Sequence, residues 1–352
     1  MANVITIDPA KDPRWNKFVT DHRFGSIFHL SSWSEILAKT FQYDPCYIVI
    51  EKNGRIKAAL PFMLVKSWIT GTRLISLPRT SYCDPLVENA EELQEILRRA
   101  REILEAEKGQ FFEIKCQFND LLLMETDLKR YAHFKNQILD LEIGVEKVWK
   151  QCDRSCVRQR VQKAQKENVK VRLGETLEDM ELFYDLHKKT TEKHMVPPRP
   201  FSFFRNMWDS LRIDKHLILV IAEKDGIPGG AALFLSFKKT IIFEFLGLNY
   251  DLLEYSPGHL ITWEVIQMAC RDGLEHFDFG LTPPGNVGLM NFKTRWGGEH
   301  RTLSYFYYPD VKGYKAFVKH SEPLASEKSD LISTFQTKAK RYAASKLYRH
   351  FG

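Results

Sequence analysis

Apolar and polar positions change period repeatedly along the chain, and each change predicts an element. PCYIVIE and RIKAALPFMLV flank Asn53-Gly54, a two-residue turn that joins antiparallel strands into a hairpin. TRLISLP (72–78) predicts a third strand. Over 89–108, Leu93, Ile96, Leu97, Ala100, Ile103 and Leu104 recur on one side, which predicts an amphipathic helix capped by Asn89 and stopped by Gly109. FFEIKC (111–116) and FKNQILDLEIG (134–144) predict further strands. Upstream, residues 12–40 read as helical in parts, with Ser31 or Ser32 as the N-cap of WSEILAKTF.

The second half repeats this order. LILVIAEK and GGAALFLSF flank Asp225-Gly226, TIIFEFLGL is a third strand, a Pro/Gly loop follows, and 259–273 predicts a helix ended by Gly273. HFDFG and LSYFYYP are the last strands. The two turns stand 172 residues apart. The expectation is a mixed α/β fold in which one sheet-and-helix domain occurs twice by old duplication: an N-terminal domain over 1–144, a C-terminal domain over 145–310, and a basic helical tail over 311–352. Between the halves, 176–212 predicts two helices broken by PPRP (197–200), where His194 lines either a cleft or a rigid turn.

Residues 276–298, HFDFGLTPPGNVGLMNFKTRWGG, place Lys293 between Phe292 and Arg295-Trp296, directly after a strand. A lysine among aromatic rings is either held in a dry place, where its charge acts strongly on a reacting carbonyl, or snorkels out from a helix whose Phe292 and Trp296 enter the core.

The net charge of +6 sits unevenly. Residues 146–172 hold nine Lys/Arg against three Asp/Glu, and 331–352 hold five Lys/Arg and no acid, so the remainder is about −5. In 153–173, Val157, Val161 and Ala164 form a narrow apolar stripe, and the cations make either a solvated face or, since most of them lack acidic partners at helical spacing, phosphate contacts. The tail places Ile332, Phe335, Ala339 and Tyr342 on one stripe, and packs on the body, lies on an anionic membrane or meets RNA. No apolar run approaches a membrane span and the N-terminus is unlike a signal peptide, so a cytoplasmic protein is expected, with peripheral contact at the inner membrane face through the tail. The six cysteines form no C-x-x-C pair, and neither metal nor a disulfide framework is implied. Nucleophile-elbow and Walker motifs are absent.

RSCVRQRVQKAQKENVKVR, HKKTTEKHMVPPRPFSFF, GHLITWEVIQMACRDGLEHFDFG and GLMNFKTRWGG resemble, in this order, the FemAB-like branch of the GNAT superfamily. That branch includes the aminoacyltransferases that build peptidoglycan cross-bridges and the BioF2-like acyltransferases of surface-polymer clusters. The resemblance is strongest over about 145–308. It implies two tandem GNAT-like domains, a Phe-Lys pair in the active site, matched by Phe292 and Lys293, and an anionic acceptor near the basic helix, where Arg154, Arg158 and Arg160 fall. One feature departs from the superfamily. Enzymes that use coenzyme A usually carry a Gly-rich loop at a helix start, and this chain has LEYSPGHLITW there, with only Gly258.

The expected reaction is acyl or aminoacyl transfer onto an amine of a cell-wall or surface-polymer precursor. Aminoacyl-tRNA is the expected co-substrate, and acyl-CoA or an acyl carrier the alternative. Lys293 stabilises charge. Asp278 orients the amine or takes its proton, or else caps a helix or turn. Glu244, alternating with Ile242 and Leu246, is a base with raised pKa or an edge residue. His259 caps a helix. Arg295 belongs to the same substrate site, and Arg79, Tyr82 and Asp84 in the first domain's strand-end loop hold the acceptor. A non-catalytic module binding RNA or a nucleotide sugar is the contrasting reading.

Overall fold

A computed structural model describes residues 3–194, 196–283, 285–311 and His350. Apart from Val311 and His350, the basic tail lies outside the described residues. The chain divides into two compact units.

In unit 1, β1 (Asn3–Ile7), β2 (Asp44–Lys52), β3 (Arg55–Ser67) and β4 (Gly71–Ile75) pair antiparallel in turn. β5 (Phe111–Cys116) lies parallel to β4. Two helices, α1 (Trp15–Asp21) and α2 (Ser31–Phe41), join β1 to β2, and α3 (Ala90–Ala106) joins β4 to β5. α3 buries Leu93, Ile96, Leu97, Ala100 and Leu104 against the apolar face of the sheet. The short α4 (Asp120–Met124) follows β5.

In unit 2, β6 (Lys129–Asp140) enters through its residues 135–140. α5 (Val145–Gln151) comes next, then a wide π-type turn (Arg154–Arg158) and α6 (Gln159–Lys166). β7 (Lys170–Leu173), β8 (Leu217–Lys224), β9 (Ile227–Phe237) and β10 (Thr240–Leu248) pair antiparallel in turn. β11 (His276–Thr282) lies parallel to β10 and antiparallel to β6. Helices α7 (Leu177–Lys193) and α8 (Phe201–Leu211) join β7 to β8, α9 (Pro257–Arg271) joins β10 to β11, and α10 (Val287–Thr294) follows β11. The last strand, β12 (Glu299–Tyr308), pairs its residues 304–308 with β5 in unit 1.

Both units thus run through one order and one set of strand senses, as the repeated sequence grammar predicts. Sequence order alone misassigns two strands. The strand read at the end of the first half completes the sheet of unit 2, and the strand read at the end of the second half completes that of unit 1. Two predicted helix ends also move. Leu30, with no side-chain cap, precedes α2 in place of Ser31 or Ser32. Lys108, at φ 50°, takes the left-handed position that ends α3, one residue before the expected Gly109, whose amide bonds the Leu104 carbonyl. Among the described residues no helix is long and apolar enough to cross a membrane.

Candidate functional site

The parallel pair β10–β11 holds register for only three rungs, the last of which joins Ile242 to Asp278. Both strands then bulge. On β10 the register against β9 skips Glu244, so Glu244 is the extra residue of a bulge. On β11 the register against β6 breaks between Asp278 and Leu281, and Gly280 takes φ 68°. A bulge re-aims the side chain it carries and frees backbone groups from the ladder. Here one carboxylate is re-aimed and two carbonyls are freed.

Lys293 meets those carbonyls. Its ammonium donates to Gly280 O at 2.6 Å and Leu281 O at 3.0 Å, and its side chain, in the last turn of α10, is 5 % exposed. This excludes the snorkelling lysine. Trp296, one turn on, is fully buried as expected, and Phe292 is half-buried against the same core. Two of the three ammonium donors are occupied by the bulge. Burial drives the Lys293 ammonium down to about 8, against the pull of the Asp278 and Glu244 carboxylates.

Asp278 is fully buried. One carboxylate oxygen accepts from the Gly280 amide at 2.7 Å, the other from the Asn136 side chain at 3.0 Å. It clamps the β11 bulge and faces the lysine with a negative charge. Glu244 is half-buried, and among the described residues it accepts no hydrogen bond. Burial pushes its carboxyl up to about 7, with Arg199 and Lys293 opposing the shift and Asp278 adding to it. Glu244, Asp278 and Lys293 therefore form one electrostatic cluster.

Sequence reasoning missed two residues beside it. Arg199 lies over the rings of Phe203 and Phe245, 4.9 Å from each centroid, and Tyr184 Oη donates to its carbonyl at 3.1 Å. His187 packs against Phe183, Phe204 and Phe245, and burial pushes it down to about 4. The signal for Arg199 was the proline on either side of it, which stiffens the loop that presents it. His194 ends α7 as an exposed C-cap residue.

The basic segment is tied to α10. The Asp153 amide donates to Arg295 O at 2.7 Å, and the Asp153 carboxylate caps the π turn through the Cys156 amide at 2.7 Å. His259 does not cap α9 as expected, because it lies within the first turn of the helix, which has no side-chain cap hydrogen bond. It stacks near Trp296 and meets Phe292 edge-on, with ring centroids 6.1 and 5.4 Å away. Burial pushes it down to about 4, with Arg160 adding to the shift and a backbone hydrogen bond to Cys156 opposing it. Arg154, Arg160 and Arg295 are exposed, whereas Arg158 is half-buried, its Nε without a hydrogen-bond partner among the described residues.

Arg79, Tyr82 and Asp84 lie in unit 1, in the loop after β4. Asp84 is fully buried, and one carboxylate oxygen gathers the amides of Gln117, Phe118 and Asn119 at 2.6–3.0 Å. Tyr82 is wedged edge-on to Phe28 and Phe118. Arg79 is half-buried with φ 63°. Asp84 and Tyr82 thus tie their loop to the segment that follows β5.

The start of α9 has few donors for an anion. Pro257 has no N–H, and the amides of His259 and Leu260 both return to Ser256 O, which leaves Gly258. A groove of about 630 Å³ at the start of β11, lined by Leu141, Gly144, Cys270 and Leu274 among others, includes none of the residues of the lysine cluster.

Residues 153–294 match a family model described as Acetyltransferase (GNAT) domain. Among curated proteins none matches the sequence significantly. Solved structures match in fold. FemX has a TM-score of 0.70 at 17 % identity, over 91 % of this chain and all of its own. L-PGS from Bacillus licheniformis has 0.59 at 14 %, over 90 % and 98 %. A tandem GNAT protein from the clavulanic acid biosynthesis pathway has 0.54 at 9 %, over 87 % and 98 %. The chain therefore carries a GNAT acetyltransferase domain over residues 153–294, within the fold of the tandem GNAT proteins.

Proposed function

We propose that this GNAT-type acyltransferase moves an aminoacyl group from aminoacyl-tRNA onto an amine of a phosphate-bearing cell-envelope precursor, working at the cytoplasmic side. The observation that carries the acyl-transfer reading is the buried Lys293 ammonium, with two donors fixed by Gly280 and Leu281 beside the raised carboxyl of Glu244. In this reading the acceptor nitrogen attacks the ester carbonyl carbon, and the third N–H of Lys293 faces the oxygen as it gains charge. Glu244 takes the proton from the attacking nitrogen. The carbon–oxygen ester bond then breaks, and the proton passes to the leaving 3′-oxygen. Asp278 keeps the lysine charged and the bulge closed. Arg154, Arg158 and Arg160 hold phosphate of the acceptor, with Arg295 and Phe292 bordering the site and His194 at the cleft edge.

The choice of donor is supported by the start of α9. A pyrophosphate cradle uses several free amides at a helix N-terminus, and here a proline and two self-satisfied amides occupy that turn. The deciding experiment supplies purified protein with charged tRNA pools or with acyl-CoA, each with and without Lys293→Ala. Amide formation from charged tRNA that collapses in the variant supports the reading. Turnover with acyl-CoA alone refutes the donor and leaves the acyl-transfer chemistry standing.

A further inference from the structure

Within α6 the chain repeats a triplet three times: Gln159-Arg160-Val161, Gln162-Lys163-Ala164, Gln165-Lys166-Glu167. Val161 and Ala164 are buried, while every amide and cation of the triplets is exposed. A three-residue step turns a helix through about 300° and rises about 4.5 Å. The amides and the cations therefore form two adjacent slanting rows on the solvent side of the helix, and beyond its end Asn168 and Lys170 are exposed as well. Arg172, two residues on, is paired with Asp179 and Glu223. Among the described residues, Arg160, Lys163, Lys166 and Lys170 form no ion pair.

We infer that this face, from Gln162 and Lys163 onward and apart from Arg160 at the acceptor end, binds the phosphate–ribose backbone of an RNA helix. Unpaired cations in a row neutralise successive phosphates and release counterions. The amide row supplies uncharged donors and acceptors of the kind that contact phosphate and sugar, and the wide minor groove of an RNA helix displays its 2′-hydroxyls to such groups. A membrane surface fits less well, because a helix lying on lipid buries apolar side chains in it, and here those side chains point into the core. The inference deepens the proposed use of aminoacyl-tRNA by assigning the donor's RNA a docking face, and it is tested without turnover.

The full chain is titrated against unmodified tRNA, a DNA hairpin of matched length and anionic vesicles, across a series of salt concentrations. Lys163→Glu with Lys166→Glu is expected to weaken tRNA binding ten-fold or more and to flatten the salt dependence by about two phosphate contacts. Lys163→Gln with Lys166→Gln serves as a milder pair. Gln162→Ala and Gln165→Ala together are expected to narrow the preference for RNA over DNA. Unchanged tRNA binding in both lysine pairs, no tRNA binding by the parent, or tighter binding to vesicles than to tRNA overturns the inference. Tight tRNA binding by a protein that transfers nothing from charged tRNA leaves it standing and refutes the donor instead.

Discussion

Lys293 Nζ lies 2.6 Å from the carbonyl oxygen of Gly280, the residue whose left-handed φ of 68° turns that carbonyl out of the β11 ladder. The bulge and the lysine complete each other. Gly280 also has little room for a side chain, since a Cβ there would stand 3.0 Å from Phe243 O.

Replacing Lys293 by Met is expected to lower acyl transfer by about 10²–10³-fold, the scale of losing one transition-state donor. Stability is expected to change little, within about 1.5 kcal/mol, because relief from burying a charge offsets two carbonyls left unpaired. Steady-state rates and denaturant unfolding of the same preparation check both halves. A collapse of folding would show that the lysine is structural.

The pH dependence of kcat/KM is expected to be a narrow bell with its maximum between about 7 and 8, where ionised Glu244 and protonated Lys293 coexist most. Glu244→Gln is expected to remove the acid limb and about 10²–10⁴ of the rate. An acid limb that survives in this variant would assign the base elsewhere.

Stability should follow the same groups with opposite signs. Glu244 titrates higher in the folded chain than in the unfolded, so its contribution falls as pH rises from the ordinary carboxyl range to about 7. Lys293 titrates lower when folded, so its contribution rises with pH from about 8 towards the ordinary lysine range. Glu244→Gln is therefore expected to raise the Tm above pH 7 and to leave it nearly unchanged near pH 4. A gain confined to acid pH would contradict the burial argument.

Gly298 has φ 91°, and a Cβ there would lie 2.5 Å from Ile138 O. Gly298→Ala is expected to cost about 1–3 kcal/mol and to disturb the β6 segment that pairs with Asp278. Gly226→Ala, at φ 76° with open space around it, isolates the backbone part of that cost. Equal losses in the two variants would show that Ile138 yields freely.

Much of the fold was legible in local chemistry. Asn53-Gly54 and Asp225-Gly226 predicted both hairpins because each turn needs left-handed backbone at both positions, and all four residues adopt it. Lys293 and Asp278 stood out as charges beside a strand end, each with a structural alternative, a snorkelling lysine and a turn cap. Glu244 was legible only as a carboxylate among apolar neighbours. Strict alternation assigned it a face, whereas the bulge makes it an inserted residue with its own direction, and bulges depend on partner strands that one sequence does not display. The roles of Arg199 and His259 were hidden for a related reason. Each meets partners far along the chain, Phe245 for the first, Phe292 and Cys156 for the second. Asp84 was legible only as a charged residue in a loop, and its partners, the amides of Gln117, Phe118 and Asn119, stand more than thirty residues on, beyond β5.

The exchange of β6 and β12 has a consequence for how the protein is made. A ribosome releases residues 3–134 long before Thr302–Tyr308, so the first unit waits, with β5 open along one edge, until almost the whole chain has been synthesised. An expression fragment ending between the halves keeps that edge bare while carrying a surplus strand in β6, and a fragment beginning there inverts the fault. Neither half is a portable domain, and dissecting this enzyme calls for point substitutions rather than scissors.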